Sequence, residues 1–247
     1  IGTLVAVILY FWTDLWVIIR GFIKALVDRK PFDGEHARMG WYLVLATIPA
    51  GIAGILIKDQ VEAVFNAPTT TALFLFVTAA LLILAELIGK RARTIVEIKW
   101  WDALWIGIFQ VLSLFPGISR SGSTIAGGMT RNFDRPSAAR FSFLMSIPVM
   151  IGAGLVSIKN ALEVPNLGDF LPALLVGFLS ALLVGYLSIH WLLKFLGKRP
   201  LYVFAVYCVI FALVVLGVGL INKNARADTS PIPQTTQTVS TGNTEQS

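Results

Sequence analysis

Six long stretches without a formal charge dictate what this chain can become: residues 39–57, 63–85, 103–119, 141–158, 170–193 and 200–222. Each approaches or exceeds the roughly 18–20 residues that an apolar helix needs to cross a bilayer. A cleaved leader accounts for at most one such run. Only 14% of the 247 residues are charged and 56% are hydrophobic, against about 25% charged in a soluble domain. Every backbone polar group must be satisfied within the chain at membrane depth, so the class is all-α and polytopic. The net charge of +6 in a soluble protein raises the question of nucleic acid. Here the positive residues sit in loops, where they set topology and meet anionic lipid. A single cysteine, Cys208, lies inside an apolar run, so no disulfide framework and no Cys-based metal site is available.

The membrane domain is assigned to residues 1–222. Residues 223–247 are rich in Ser, Thr, Gln and Pro and are expected to be a disordered tail. The chain opens on Ile1, and its first apolar run, 1–13, is too short to span. It reads as the end of a helix whose start lies upstream, so the sequence is expected to be N-terminally truncated.

Lysine and arginine mark the cytoplasmic side. Residues 14–38 carry five, 58–62 one, 86–102 four, 131–140 three, the loop after Ile158 one, 194–199 three, and the tail two. The order reads in, out, in, in, out, in, out. Alternation fails once, because both flanks of 103–130 read cytoplasmic. Residues 103–115 are a short apolar helix opening after Asp102, a capping residue. Pro116-Gly117 interrupt it, and 121–130 form a second short helix. Neither spans alone. A re-entrant helix–loop–helix, about 103–130, satisfies both observations, with its loop lining a polar cavity. Such broken segments come in pairs in inverted-repeat proteins; the first repeat would be incomplete here.

The tip of that hairpin, Phe115-Pro116-Gly117-Ile118-Ser119-Arg120-Ser121-Gly122-Ser123-Thr124, concentrates the chemistry. Arg120 offers a fork of donors that matches phosphate oxygens. Ser119, Ser121, Ser123 and Thr124 add hydroxyls. Gly117 and Gly122 let backbone amides approach an anion, and the N-terminus of the second half-helix points at the same spot. A charged residue at membrane depth faces a cavity or a partner and marks function. These features converge on a phosphate or pyrophosphate cradle; the plain alternative is a glycine-rich packing turn. Gln110, two turns earlier on the apolar half-helix, either faces the cavity and orients substrate or water, or makes a helix–helix hydrogen bond.

Elsewhere the residues read as structural. Glu86 pairs with Lys90 at i,i+4. Arg131, Arg135 and Arg140 mark the cytoplasmic interface, and Trp100, Trp101 and Trp105 form an interfacial belt. Pro148 predicts a kink. Gly51, Gly54, Gly127 and Gly128 permit close helix packing. His36 is a solvated loop residue and His190 a packing residue.

Pro116-Gly117-x-Ser119-Arg120-Ser121-Gly122-x-Thr124 resembles the signature of the undecaprenyl-diphosphatase family, the bacitracin-resistance enzymes. The resemblance extends through Ala126-Gly127-Gly128-Met129, Phe141-Ser142-Phe143-Leu144-x-x-Ile147-Pro148, Ile48-Pro49-Ala50 and Ile106-Gly107-x-x-Gln110. It implies hydrolysis of undecaprenyl diphosphate to the monophosphate and phosphate, recycling the lipid carrier of peptidoglycan synthesis. It implies a multi-pass protein of the bacterial cytoplasmic membrane, with the site facing the outer side. A divalent cation, Mg2+ or Ca2+, is implied as cofactor. The partners are the polyprenyl diphosphate and membrane lipids, with a homodimer left open and no nucleic acid. Carried over residue by residue, Arg120, Ser119, Ser121 and Thr124 hold the pyrophosphate as the catalytic set, with Gly117, Gly122, Ser123 and Gln110 binding substrate. The family's second motif, an acidic stretch followed by Ser-Ser-x-Gly-His, does not occur in this chain. Metal ligands and nucleophile are therefore expected upstream, none in this sequence, and the chain by itself is expected to be inactive. A transporter or flippase for polyprenyl phosphate uses the same broken-helix site and is the alternative. The Lys-x6-Arg-Pro lipid phosphatases fit poorly, because Gly128 and Leu192 stand where the lysine of that motif belongs.

Overall fold

The computed structural model describes residues 1–65, 68–163 and 167–228. Among these residues ten α-helices follow one another: α1 Gly2–Tyr10, α2 Trp12–Val27, α3 Glu35–Leu56, α4 Lys58–Phe65, α5 Pro68–Ile88, α6 Trp100–Leu112, α7 Arg120–Thr130, α8 Arg135–Leu162, α9 Leu167–Leu196 and α10 Tyr202–Asp228. A short 3-10 turn, Ile95–Glu97, precedes α6. Among the described residues the only β-pairing is a single bridge between Arg93 and Phe133. Among the described residues five helices carry an apolar segment long enough to cross a membrane: Glu35–Leu56, Thr69–Ile88, Arg135–Leu162, Phe170–Leu196 and Tyr202–Gly219. The protein is an all-α, multi-pass membrane protein.

The exterior confirms the solvent. Leu174, Leu175, Leu179, Leu183 and Val184 of α9 all face outward, as a lipid-facing helix requires. The interior is built instead from small residues and a few large ones, with Ala46, Ala79, Ala126, Met129, Phe141 and Met145 all buried. Lipid tails are as apolar as leucine, so helices associate here through close backbone approach rather than hydrophobic expulsion. α6 lies against α3, α10 against α5, and α7 against α5, α6 and α8. At Gly107 of α6 an added Cβ would stand 2.4 Å from the carbonyl oxygen of Ala46 in α3. Gly127 and Gly128 are packed in the same way, against Phe109 at 2.8 Å and Ala138 at 2.9 Å. Gly51 and Gly54, expected to do likewise, do not: Gly51 has open space where a Cβ would be, and Gly54 meets only Leu114 at 4.0 Å.

Three segments differ from the charge-based reading. Residues 14–38 are not a loop throughout, because α2 occupies Trp12–Val27. Its Trp12, Leu15, Trp16, Ile19, Phe22, Ile23 and Leu26 recur at helical spacing, which a count of basic residues hides. α2 leaves α1 at a bend of 79°. Residues 63–85 are not one run, since α4 ends and α5 begins within it. α10 continues to Asp228, so the helix passes position 222, where the tail was expected to start. The rest of that tail, 229–247, lies outside the described residues. Pro148 sits within α8, which is a single helix from Arg135 to Leu162.

Because the Gly107–Ala46 contact leaves no room for a methyl group, Gly107→Ala forces α3 and α6 apart. Overpacking of this kind costs about 1–3 kcal/mol. A lower unfolding temperature in detergent is the expected result; an unchanged one means the two helices are free to separate.

Candidate anion site

α6 and α7 form a hairpin whose two outer ends are tied together by one carboxylate. Asp102, in the first turn of α6, is fully buried. Arg93 donates to it from Nη2 at 2.7 Å, and Arg131, just beyond α7, donates from Nε at 2.8 Å. The Lys99 amide adds a third bond at 3.0 Å, so Asp102 also caps its own helix. Arg93 further donates to the carbonyls of Arg131 and Glu97. Burial alone would raise the pKa of Asp102; the hydrogen bonds from Arg93, Arg131 and the Lys99 amide prevail and hold it below the ordinary carboxylate range. Bonding to Asp102 in turn raises the pKa of Arg93. The hairpin thus starts and ends at the same level, the geometry the sequence analysis expects of a re-entrant segment.

A second clamp stands beside the first. Glu86, at the end of α5, is buried and does not pair with Lys90 as its spacing suggests. It accepts from Arg135 at 2.6 and 2.7 Å, from Arg91 at 2.6 Å and from the Leu201 amide at 2.7 Å. Arg140 is bound to Asp14 of α2. The three arginines read as interface markers are therefore each locked to a carboxylate.

At the other end of the hairpin α6 unwinds. The amides of Ser113, Leu114 and Phe115 each donate three residues back, the tightening typical of a helix C-terminus. Gly117 then takes φ +97°, which favours glycine. Its Cβ position is in any case filled by the Thr71 carbonyl oxygen, 2.2 Å away on α5. Ser119 caps α7: its Oγ accepts from the Gly122 amide at 3.1 Å. The amides of Arg120 and Ser121 follow the cap and have no intrahelical acceptor, so they and the helix dipole face the mouth of the loop. The Arg120 guanidinium is half-buried, and its hydrogen-bonding contact among the described residues is the Met150 sulfur at 3.8 Å. No carboxylate of the described residues pairs with it.

The predicted site residues fall into two groups. Ser119, Arg120 and Ser121 are brought together at the mouth, with the two serine hydroxyls 3.5 Å apart. Ser123 and Thr124 face inward. Ser123 donates to the Arg120 carbonyl at 3.0 Å. Thr124 donates to the same carbonyl at 2.8 Å and meets Ser142 of α8 at 2.5 Å. Both are fully buried and brace the first turn of α7. Gly122 lies under Ser119, against the Thr78 methyl. Gln110 is 2% exposed, and neither its amide nitrogen nor its oxygen has a partner among the described residues. The helix–helix hydrogen bond that was its alternative role is not made. His36 is exposed at the start of α3; His190 lies beside Tyr10. Sequence reasoning missed Thr78 and Met150, which belong to no local motif, the contact of Ser142 with Thr124, and the clamping role of Asp102 and Glu86.

These donors suit an anion and not a divalent cation. Among the described residues no three His, Cys, Asp or Glu side chains converge, and the buried carboxylates are each engaged by two arginines. The described residues do not fit the Mg2+ or Ca2+ that the resemblance implies.

Residues 1–214 match the family described as "Bacitracin resistance protein BacA". The chain is 40% identical over 225 residues to the "Undecaprenyl-diphosphatase" of Methanosphaera stadtmanae, covering 87% of this chain and 80% of that protein. It is 36% identical to the one of Myxococcus xanthus, over 94% of this chain and 79% of the relative. With the one of Synechocystis the identity is 41%, over 87% and 67%.

Asp102→Asn removes the charge that holds Arg93 and Arg131 together. Breaking a buried pair costs about 3–5 kcal/mol, and the low end applies here because both arginines reach water. The expected outcome is a fall in Tm on the order of 5–10 °C in detergent; a change within a degree refutes the clamp.

Proposed function

The chain belongs to the bacitracin-resistance protein family, and on that premise we propose that it hydrolyses undecaprenyl diphosphate through the anion site at the tip of the α6–α7 hairpin. The activity is that of an undecaprenyl-diphosphate phosphatase, a membrane hydrolase that serves cell-wall synthesis by regenerating the lipid monophosphate. The relatives are named for this hydrolysis, and no observation favours transport.

One observation carries the assignment of the site. Arg120 stands half-buried at a helix N-terminus without a carboxylate, whereas Arg91, Arg93, Arg131, Arg135 and Arg140 are each paired with one. A partly desolvated guanidinium with no counter-ion is costly, and a lipid pyrophosphate would supply that counter-ion. Its fork takes two phosphoryl oxygens side by side. The amides of Arg120 and Ser121 and the hydroxyls of Ser119 and Ser121 take others. Phosphoryl transfer asks little covalent chemistry of the protein and much electrostatic stabilisation, and donors already fixed at a helix N-terminus provide it without reorganisation. Gln110 contributes a polar group beneath the loop. The divalent cation, Mg2+ or Ca2+, is proposed to be held by residues outside those described here. The protein resides in the cytoplasmic membrane, with the basic clamps on the inner side and the loop reached from the outer side, as the loop charges favour.

Arg120→Ala is expected to reduce phosphate release from a prenyl diphosphate by more than about a hundredfold in the full-length protein, with the protein still folded in membranes. Arg120→Lys loses most activity as well, since a point charge does not replace the fork; near-normal turnover by either refutes the cradle. For the sidedness, Ser121→Cys is expected to react with a membrane-impermeant thiol reagent added from outside intact cells. Labelling only from the cytoplasmic side reverses the orientation.

A further inference from the structure

The loop that carries Ser119 and Arg120 leans on a side chain that belongs to none of the motifs. Thr78 lies in the middle of α5 and is fully buried. Its Oγ1 accepts a hydrogen bond from the Ser119 amide at 3.1 Å. The same hydroxyl is 3.1 Å from the Gly117 carbonyl oxygen and 3.3 Å from that of Phe74, its possible acceptors. One hydroxyl therefore bridges the backbone on both sides of Ile118. A hydroxyl has one proton to give and two lone pairs to receive with; of its two acceptors the Gly117 carbonyl is the nearer, at 3.1 Å against 3.3 Å for that of Phe74, which lets both capacities serve the loop. The two backbone groups it satisfies would be expensive to leave unpaired in a membrane interior.

The rest of α5 reinforces the contact. Thr71, Phe74 and Thr78 share one face of the helix. The Thr71 carbonyl abuts Gly117, the Phe74 ring packs on Phe115 at 5.3 Å, and the Thr78 methyl lies 3.4 Å from the Cβ position of Gly122. The consequence reaches the anion site through the cap. By taking the Ser119 amide, Thr78 removes it from the set of donors at the mouth and fixes the Ser119 backbone. Ser119 Oγ in turn holds the Gly122 amide. What remains to meet an anion is the pair of amides at Arg120 and Ser121, beside the guanidinium.

We propose that Thr78 is a positioning residue of the phosphatase site: its hydroxyl sets the loop so that the Arg120 and Ser121 donors converge on the pyrophosphate. This rests on the function proposed above. Thr78 does not touch the substrate. The prenyl tail supplies much of the ground-state binding, so a misplaced cradle lowers kcat more than it raises KM.

The test compares Thr78→Val, which keeps the shape and removes the hydroxyl, with Thr78→Ser, which keeps the hydroxyl and removes the methyl. In the full-length protein Thr78→Val is expected to lower kcat about ten- to a hundredfold, with KM changed less than about threefold. It should also weaken inhibition by inorganic phosphate. Thr78→Ser is expected to stay within about threefold of the wild type in all three quantities, because the bridge survives. If Thr78→Val does not fold, the serine variant decides: a kcat reduced as far as that of Thr78→Ala places the effect in the methyl packing and overturns the proposal. Wild-type kcat and phosphate inhibition in Thr78→Val overturn it too. Failure of the functional reading looks different, for then the wild type itself releases no phosphate, or Arg120→Ala remains active.

Discussion

The Asp102 carboxylate, gripped by Arg93 and Arg131, is the interaction on which the rest of the structure depends. A hairpin that enters the bundle and returns exposes two helix ends and an irregular loop, and it has no spanning length to hold it upright. Closing its base with one buried charge and two arginines fixes the separation of α6 and α7, and with it the height of the loop. Buried ion pairs are not in general a cheap source of stability, because desolvation offsets their attraction. They do specify geometry: Asp102 accepts from three directions, and only one arrangement of the hairpin satisfies all three.

The same charge logic separates the paired arginines from Arg120. Arg91 and Arg135 close on Glu86, Arg140 closes on Asp14, and Arg93 and Arg131 close on Asp102. These pairs gather at the end of the bundle where α5 ends and α8 begins. Arg120 stands at the opposite end of the hairpin with a methionine sulfur beside it. Opposite charges are matched wherever shape is the purpose. Among the described residues, the one half-buried guanidinium without a match is at a helix N-terminus, where the backbone also favours an anion.

Much of this was legible in the sequence. The uncharged runs gave the spanning helices, and the failure of alternation around 103–130 marked the hairpin, because positive charges at both flanks and a Pro-Gly break have no other simple reading. The gathering of Arg120 with Ser119 and Ser121 was legible, since residues adjacent in sequence at a helix start must be adjacent in space. What escaped was long-range. Thr78 meets Gly117 across 39 positions, and Glu86 meets Arg135 across 49; no local spacing encodes either. Ser123 and Thr124 look like further donors on a list of residue types. The helical turn sends them inward, because the residues after the cap on that face point at α8. α2 is hidden for another reason: its basic residues look like loop charge, and only its apolar period of helical spacing marks the helix.

The backbone contact of Gly107 with Ala46 has a consequence for how a reaction cycle can run. Two helices whose main chains touch do not slide or part without losing the contact altogether, so α6 belongs mechanically to α3. The hairpin is then anchored at its base by charge, along its flank by backbone and at its tip by the wall of α5. A hairpin held at base, flank and tip presents its loop as a preformed surface, so a group arriving there meets donors already in place.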